Sequence, residues 1–104
     1  MDSSINSIDQ MIKYFVKDLL ETGFKGEVCI LNPQFTSEKI VSDKEIKILV
    51  LSGLLTVKNK NGYVEYNRGD ILKINSNTEY QFSAHDDEVI YYFAKKQILY
   101  IISR

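Results

Sequence analysis

Between Lys47 and Phe82 the chain reads KILVLSGLLTVKNKNGYVEYNRGDILKINSNTEYQF, a series of short apolar runs, each closed within a few residues by a turn signal. Gly53 closes the first run. Runs at 54–58 and 63–66 face each other across Asn59-Lys60-Asn61-Gly62, where Asn-Gly tolerates the positive φ of a hairpin. Asn67-Arg68-Gly69-Asp70 turns the chain again, 71–74 reads as a strand, 75–78 as a turn and 79–83 as a short strand. Strands that recur about every 8–12 residues between tight turns belong to a β sandwich or barrel.

The flanking sequence extends the pattern. Residues 27–31 form a strand stopped by Asn32-Pro33, because proline cannot donate to a ladder and restricts the residue before it. Residues 34–44 are polar and read as a loop or an edge strand. The run 46–51 is strongly apolar, 84–87 turns into a strand over 88–94, and 97–103 reads as a last apolar strand. The N-terminal segment has a different period. Ile8, Met11, Ile12, Phe15, Val16, Leu19 and Leu20 recur at helical spacing and form one stripe. Ser7 with Gln10 fits a capping box and Gly23 supplies a left-handed C-terminal residue, which predicts a helix over 7–22. Its stripe must be buried, either on the sheet or on a second subunit. The expected division is therefore a helical segment over 1–25 and a barrel over 26–104.

Composition removes several function classes. The chain has 104 residues, enough for one domain with one core. Thirteen basic against fourteen acidic residues leave a net charge of −1, so no basic surplus exists to neutralise nucleic-acid phosphates. Cys29 is the only cysteine, which excludes an internal disulfide and a zinc site of several thiolates. Its apolar neighbours Val28, Ile30 and Leu31 mark it as a small buried hydrophobe rather than a reactive thiolate. Met1 to Gln10 is polar and does not read as a signal peptide, and no apolar run is long enough to span a membrane. The expected location is the cytoplasm.

Val50-Leu51-Ser52-Gly53, one hairpin, then Gly69-Asp70-Ile71-Leu72-Lys73-Ile74, with Tyr80 and Phe82 beyond, resembles a small cupin, over about 27–95. The resemblance implies a mainly β fold: a cupin-like double-stranded β-helix, or jelly-roll barrel, here carrying one N-terminal α-helix. It also implies where metal ligands stand in metal-binding cupins. The glutamate position falls on Ile46, the histidine pair on or near Ile40 and Ser42, and the last histidine on Tyr80. A divalent metal wants three or four N, O or S ligands at about 2.0–2.3 Å, which this set does not offer. Ala84 and Asn75 replace a further asparagine and proline of the second motif. No metal and no cofactor are expected.

Two residues are catalytic candidates. His85, the sole histidine, precedes Asp86 and Asp87 and would serve as a general base, although the run 83–87 reads as a solvated loop. Tyr80 stands where the resemblance puts a barrel-facing histidine, and its phenol would hydrogen-bond a ligand or donate a proton, or simply be a core tyrosine. Phe82 shares its face, and with Ile46, Ile48 and Val50 the pair outlines an apolar pocket, either filled or holding a small ligand. The remaining aromatics on strands read as core packing, and the apolar run at the C-terminus invites pairing with another subunit. The leading reading is a metal-free binding or regulatory module rather than an enzyme. Its expected partners are a small-molecule ligand and a second copy in a homodimer, with no nucleic acid and no membrane. The alternatives are a cofactor-independent sugar-type isomerase or epimerase using Tyr80 or His85, and a protein-interaction domain with a filled barrel.

Overall fold

The computed structural model describes residues 3–97, in which one helix precedes eight strands. These are α1 (Ser3–Glu21), β1 (Phe24–Leu31), β2 (Ile40–Val41), β3 (Ile46–Ser52), β4 (Leu55–Asn59), β5 (Gly62–Tyr66), β6 (Ile71–Ile74), β7 (Glu79–Ala84) and β8 (Val89–Lys96). They form two four-stranded sheets in the orders β1-β8-β3-β6 and β2-β7-β4-β5, with antiparallel pairing throughout. Successive strands thus alternate between sheets except at the β4–β5 hairpin, the arrangement of an eight-stranded jelly roll.

Strand alternation builds the core between the sheets. Leu72 and Ile74 on β6, and Tyr80, Phe82 and Ala84 on β7, point inward, while Ile71, Lys73 and Glu79 point out. β3 explains why 46–51 is apolar on both faces. Ile46, Ile48 and Val50 enter the barrel core, whereas Leu49 faces the other way and is buried beneath the helix with Phe15, Leu19, Phe24 and Ala94. The helix therefore packs on the outer face of the first sheet.

Sequence and structure differ in places with identifiable causes. The helix already includes Ser3–Glu21, so Ser7 lies inside it and does not cap its start. Leu20 is 71% exposed although it belongs to the helical stripe. Each helical residue turns ~100°, so Leu20 sits a full step beyond Leu19 and overshoots the sheet edge. β1 starts at Phe24 rather than 27, in unbroken register with β8. Gly26 is a strand residue placed for close approach: a Cβ there would lie 2.8 Å from Ala94 Cα and from the Tyr92 ring. Residues 34–44 contribute the short β2 and an isolated bridge between Thr36 and Ser83. Apart from Gln97, the expected last strand over 97–103 lies outside the described residues.

The turns of the central segment form as expected. Gly69 adopts φ 91° at the third position of the Asn67–Asp70 turn, where the Asp70 N–H donates to the Asn67 carbonyl at 2.9 Å and the Asp70 carboxylate accepts the Asn67 N–H at 2.7 Å. Gly53 likewise takes a positive φ at the β3–β4 turn.

Candidate functional site

One end of the barrel gathers the positions at which metal ligands would stand. Ile46 opens β3 opposite Ile74, the end of β6, and Ile40 on β2 lies opposite Tyr80 on β7. The donors available there do not fit a divalent cation. Ile40 and Ile46 carry none. The Ser42 hydroxyl is committed to its own turn, donating to the Lys44 carbonyl at 2.9 Å and accepting the Lys44 N–H at 3.1 Å. Burial raises the Tyr80 pKa above the usual phenol value, which keeps the phenol protonated and a poor ligand. Among the described residues no three His, Cys, Asp or Glu side chains converge elsewhere.

All five expected pocket residues enter one hydrophobic core, but in two different ways. Ile46, Ile48 and Val50 are 0% exposed and pack as barrel filling. Tyr80 and Phe82 stack at 4.9 Å between ring centroids, and Phe82 meets Tyr91 edge-on at 5.8 Å. Tyr80 also borders a cleft of ≈ 190 Å³ with mixed walls, in which Val57, Val64, Tyr66, Leu72 and Ile74 are joined by Asn59, Lys73, Asn75 and Thr78. This cleft opens between β5 and β6, the edge strands of the two sheets. Its wall residues were not legible as a site, although the inward alternation of Leu72 and Ile74 was the available signal.

Two further ionisable groups face the core. Burial pushes the Tyr91 phenol up to about 12, with Cys29 and Tyr80 nearby adding to the effect. Burial, followed by the Glu27 carboxylate, raises the Cys29 thiol as well, so the site holds no activated thiolate.

His85 stands apart from this cleft. Leu55 and Val57 point into the core, so Thr56 between them points outward, and its hydroxyl meets His85 Nε2 at 2.6 Å. Glu65 Oε2 lies 4.0 Å from the same nitrogen. Asp86, the expected partner, accepts instead from Gln34 Nε2 at 2.9 Å. Thr56 and Glu65 thus approach one ring nitrogen rather than opposite ones, which is not the geometry of an oriented general base. Thr36 and Ser83 continue this outer polar row with a 3.1 Å contact between hydroxyls. Tyr80 and His85 consequently lie on opposite faces of the second sheet and cannot share a substrate.

No family model matches this sequence, and no curated protein is similar to it. Solved structures are similar in fold. A Cupin 2 conserved barrel domain protein from Salinispora arenicola aligns with a TM-score of 0.66 at 15% identity, over 71% of this chain and 63% of that one. The Cupin_2 domain of an XRE-family transcriptional regulator from Enterobacter cloacae aligns at 0.65 and 13% identity, over 77% of this chain and 87% of that one. A sugar phosphate isomerase of the cupin superfamily from Silicibacter pomeroyi aligns at 0.63 and 16% identity, over 73% and 52%. The chain thus spans less than two thirds of the length of the first and third of these structures. Sheet order, barrel core and these likenesses agree, and the chain has the cupin fold: a jelly-roll barrel with one N-terminal helix on its outer face.

Proposed function

We propose that the protein is a metal-independent small-molecule-binding or regulatory module, a cytoplasmic homodimer rather than an enzyme. The observation that carries this reading is Tyr80 beside a cleft of mixed apolar and polar lining between β5 and β6, at the end of the barrel where the positions that the cupin resemblance gives to metal ligands offer no competent donor set. A protonated phenol among mixed apolar and polar walls can donate a hydrogen bond to a small, weakly polar molecule and so orient it. The similarity to a domain of a transcriptional regulator supports a sensing role by analogy of fold. One second reading has its own support: the 0% exposure of Ile46, Ile48 and Val50 behind Tyr80 favours a filled barrel whose surface recruits a protein.

Amide spectra of the labelled protein titrated with phenol and cyclohexanol separate the two. Binding predicts saturable shifts at Val57, Val64, Leu72 and Ile74 that Tyr80→Phe weakens and Leu72→Trp abolishes. Absence of any saturable shift leaves the filled barrel standing. Metal analysis after dialysis tests metal independence, since stoichiometric zinc, iron, manganese or nickel would overturn it.

A further inference from the structure

We propose a second binding site, on the outer face of the second sheet, for a small ligand carrying an oxyanion: a phosphate monoester or a dicarboxylate. A cleft of ≈ 260 Å³ lies there, bordered by Lys39, Lys58, Lys60, Glu79, Tyr80 and Gln81, with Asn59 at its rim. Three ammonium groups against one carboxylate make it locally cationic, in a chain whose net charge is −1.

The strand register holds this charge in place. Lys58 on β4 lies opposite Gln81 on β7 and Tyr63 on β5, so neither cross-strand neighbour neutralises it. Lys60 follows in the β4–β5 turn, whose shape is set by the Asn59 side-chain oxygen accepting the Asn61 N–H at 2.8 Å. Two other lysines have acidic neighbours: Lys47 has Asp18 at 3.7 Å and Lys73 has Glu45 at 3.5 Å. Among the described residues no carboxylate lies within 4.0 Å of Lys58 or Lys60, and Lys39 meets Glu79 only at 3.9 Å with both side chains exposed. So loose an exposed pair contributes under about 1 kcal/mol and leaves Lys39 available to a ligand. Another cleft, bordered by Lys44, Lys95 and Lys96, differs in that Asp43 also lines it. Lys44 is held by Asp43 at 3.0 Å, and adjacent residues 95 and 96 of a strand point to opposite faces.

Lysine ammonium groups bind oxyanions as point charges through charge-assisted hydrogen bonds, without the planar fork of arginine. The cleft volume falls just below the range for drug-sized ligands, which limits the occupant to a few functional groups. The site shares Asn59 and Tyr80 with the β5–β6 cleft, but Lys39, Lys58, Lys60 and Gln81 border it alone, so its occupancy is read from residues that the β5–β6 cleft does not use.

The test is amide-shift titration of the full chain with glycerol 3-phosphate and, separately, with succinate. Saturable shifts are expected at Lys39, Lys58, Lys60 and Gln81, and the tighter of the two probes identifies the source of the oxyanion. Affinity should fall as salt rises from roughly 20 to 200 mM, as screening requires. The double variant Lys58→Gln/Lys60→Gln should weaken binding about fivefold or more with an unchanged urea midpoint, because both side chains are exposed. Glu79→Gln should tighten it, a gain that misfolding cannot mimic. Saturation by neither probe overturns the site, as does equal loss on Lys95→Gln or indifference to the Glu79 substitution.

Discussion

Ile46 stands where the cupin resemblance puts a glutamate, and its surroundings are those of an apolar core. It is fully buried, and glutamate there would place a carboxylate among Ile74, Tyr80 and other apolar groups without a cation to pair with. Ile46→Val should cost about 0.5–1.5 kcal/mol by urea denaturation, and Ile46→Glu more than about 3 kcal/mol. A glutamate variant of unchanged stability would mean that the site is wetter than its burial indicates. Tyr91 supplies the residue-scale pH dependence. Its phenol titrates near 12 in the fold but near its ordinary value of 10 in the unfolded chain, so only the unfolded state gains by ionising between these values. The stabilisation is complete below about pH 10 and is lost as pH rises toward 12. Tyr91→Phe should flatten that loss in chemical denaturation measured across the interval. Tyr80 was singled out by the cupin resemblance, which puts a barrel-facing residue there, and the structure places it on the inward face of β7. Tyr91 was not, because alternation tells which face a residue occupies but not which residue of another strand it meets. Cys29 became its neighbour only through the β1–β8 register.

At the scale of elements, the helix separates what period predicts from what only docking decides. The 3.6-residue stripe correctly announced a helix with one buried face, but Leu19 and Leu20 looked equivalent in sequence. Leu19 is 2% exposed against Phe24, Leu49 and Ala94, whereas Leu20 is 71% exposed. Leu19→Ala should therefore destabilise by about 2–5 kcal/mol, and Leu20→Ala by no more than about 0.5 kcal/mol. Equal losses in thermal or urea unfolding would mean that the helix sits rotated by one residue. The two-sided burial of β3 has the same origin. A continuous apolar run is ambiguous by itself, and the helix above Leu49 resolves it. The β5–β6 cleft escaped the sequence for a complementary reason. Its walls come from edge strands of different sheets, and nothing in the local pattern of either strand says that the two face each other.

The whole molecule has two unlike outer surfaces, and the contrast bears on assembly. The second sheet turns outward Lys39, Lys58 and Glu65, a face that water solvates well. The first sheet is apolar outside, and the helix covers only part of it. Beyond the helix, Val28 and Ile30 on β1 remain 58% and 60% exposed, opposite Tyr92 and Ile90 of β8. β1 is also an edge strand, pairing with β8 alone among the described residues, so its outer backbone groups can accept another strand. An antiparallel β1–β1 contact about a two-fold axis would extend this sheet across both subunits and bring the two exposed pairs together. That contact is the homodimer we propose, and it locates the interface away from the β5–β6 cleft and the lysine cleft, leaving both open. Light scattering on the eluting protein should give twice the chain mass of 12.0 kDa. Val28→Lys/Ile30→Lys puts like charges across the axis and should yield a monomer with an unchanged far-ultraviolet spectrum, because both side chains are exposed in one chain. A wild-type mass of 12.0 kDa at every concentration would end the dimer, and a dimer that survives the double lysine variant would move its interface off β1.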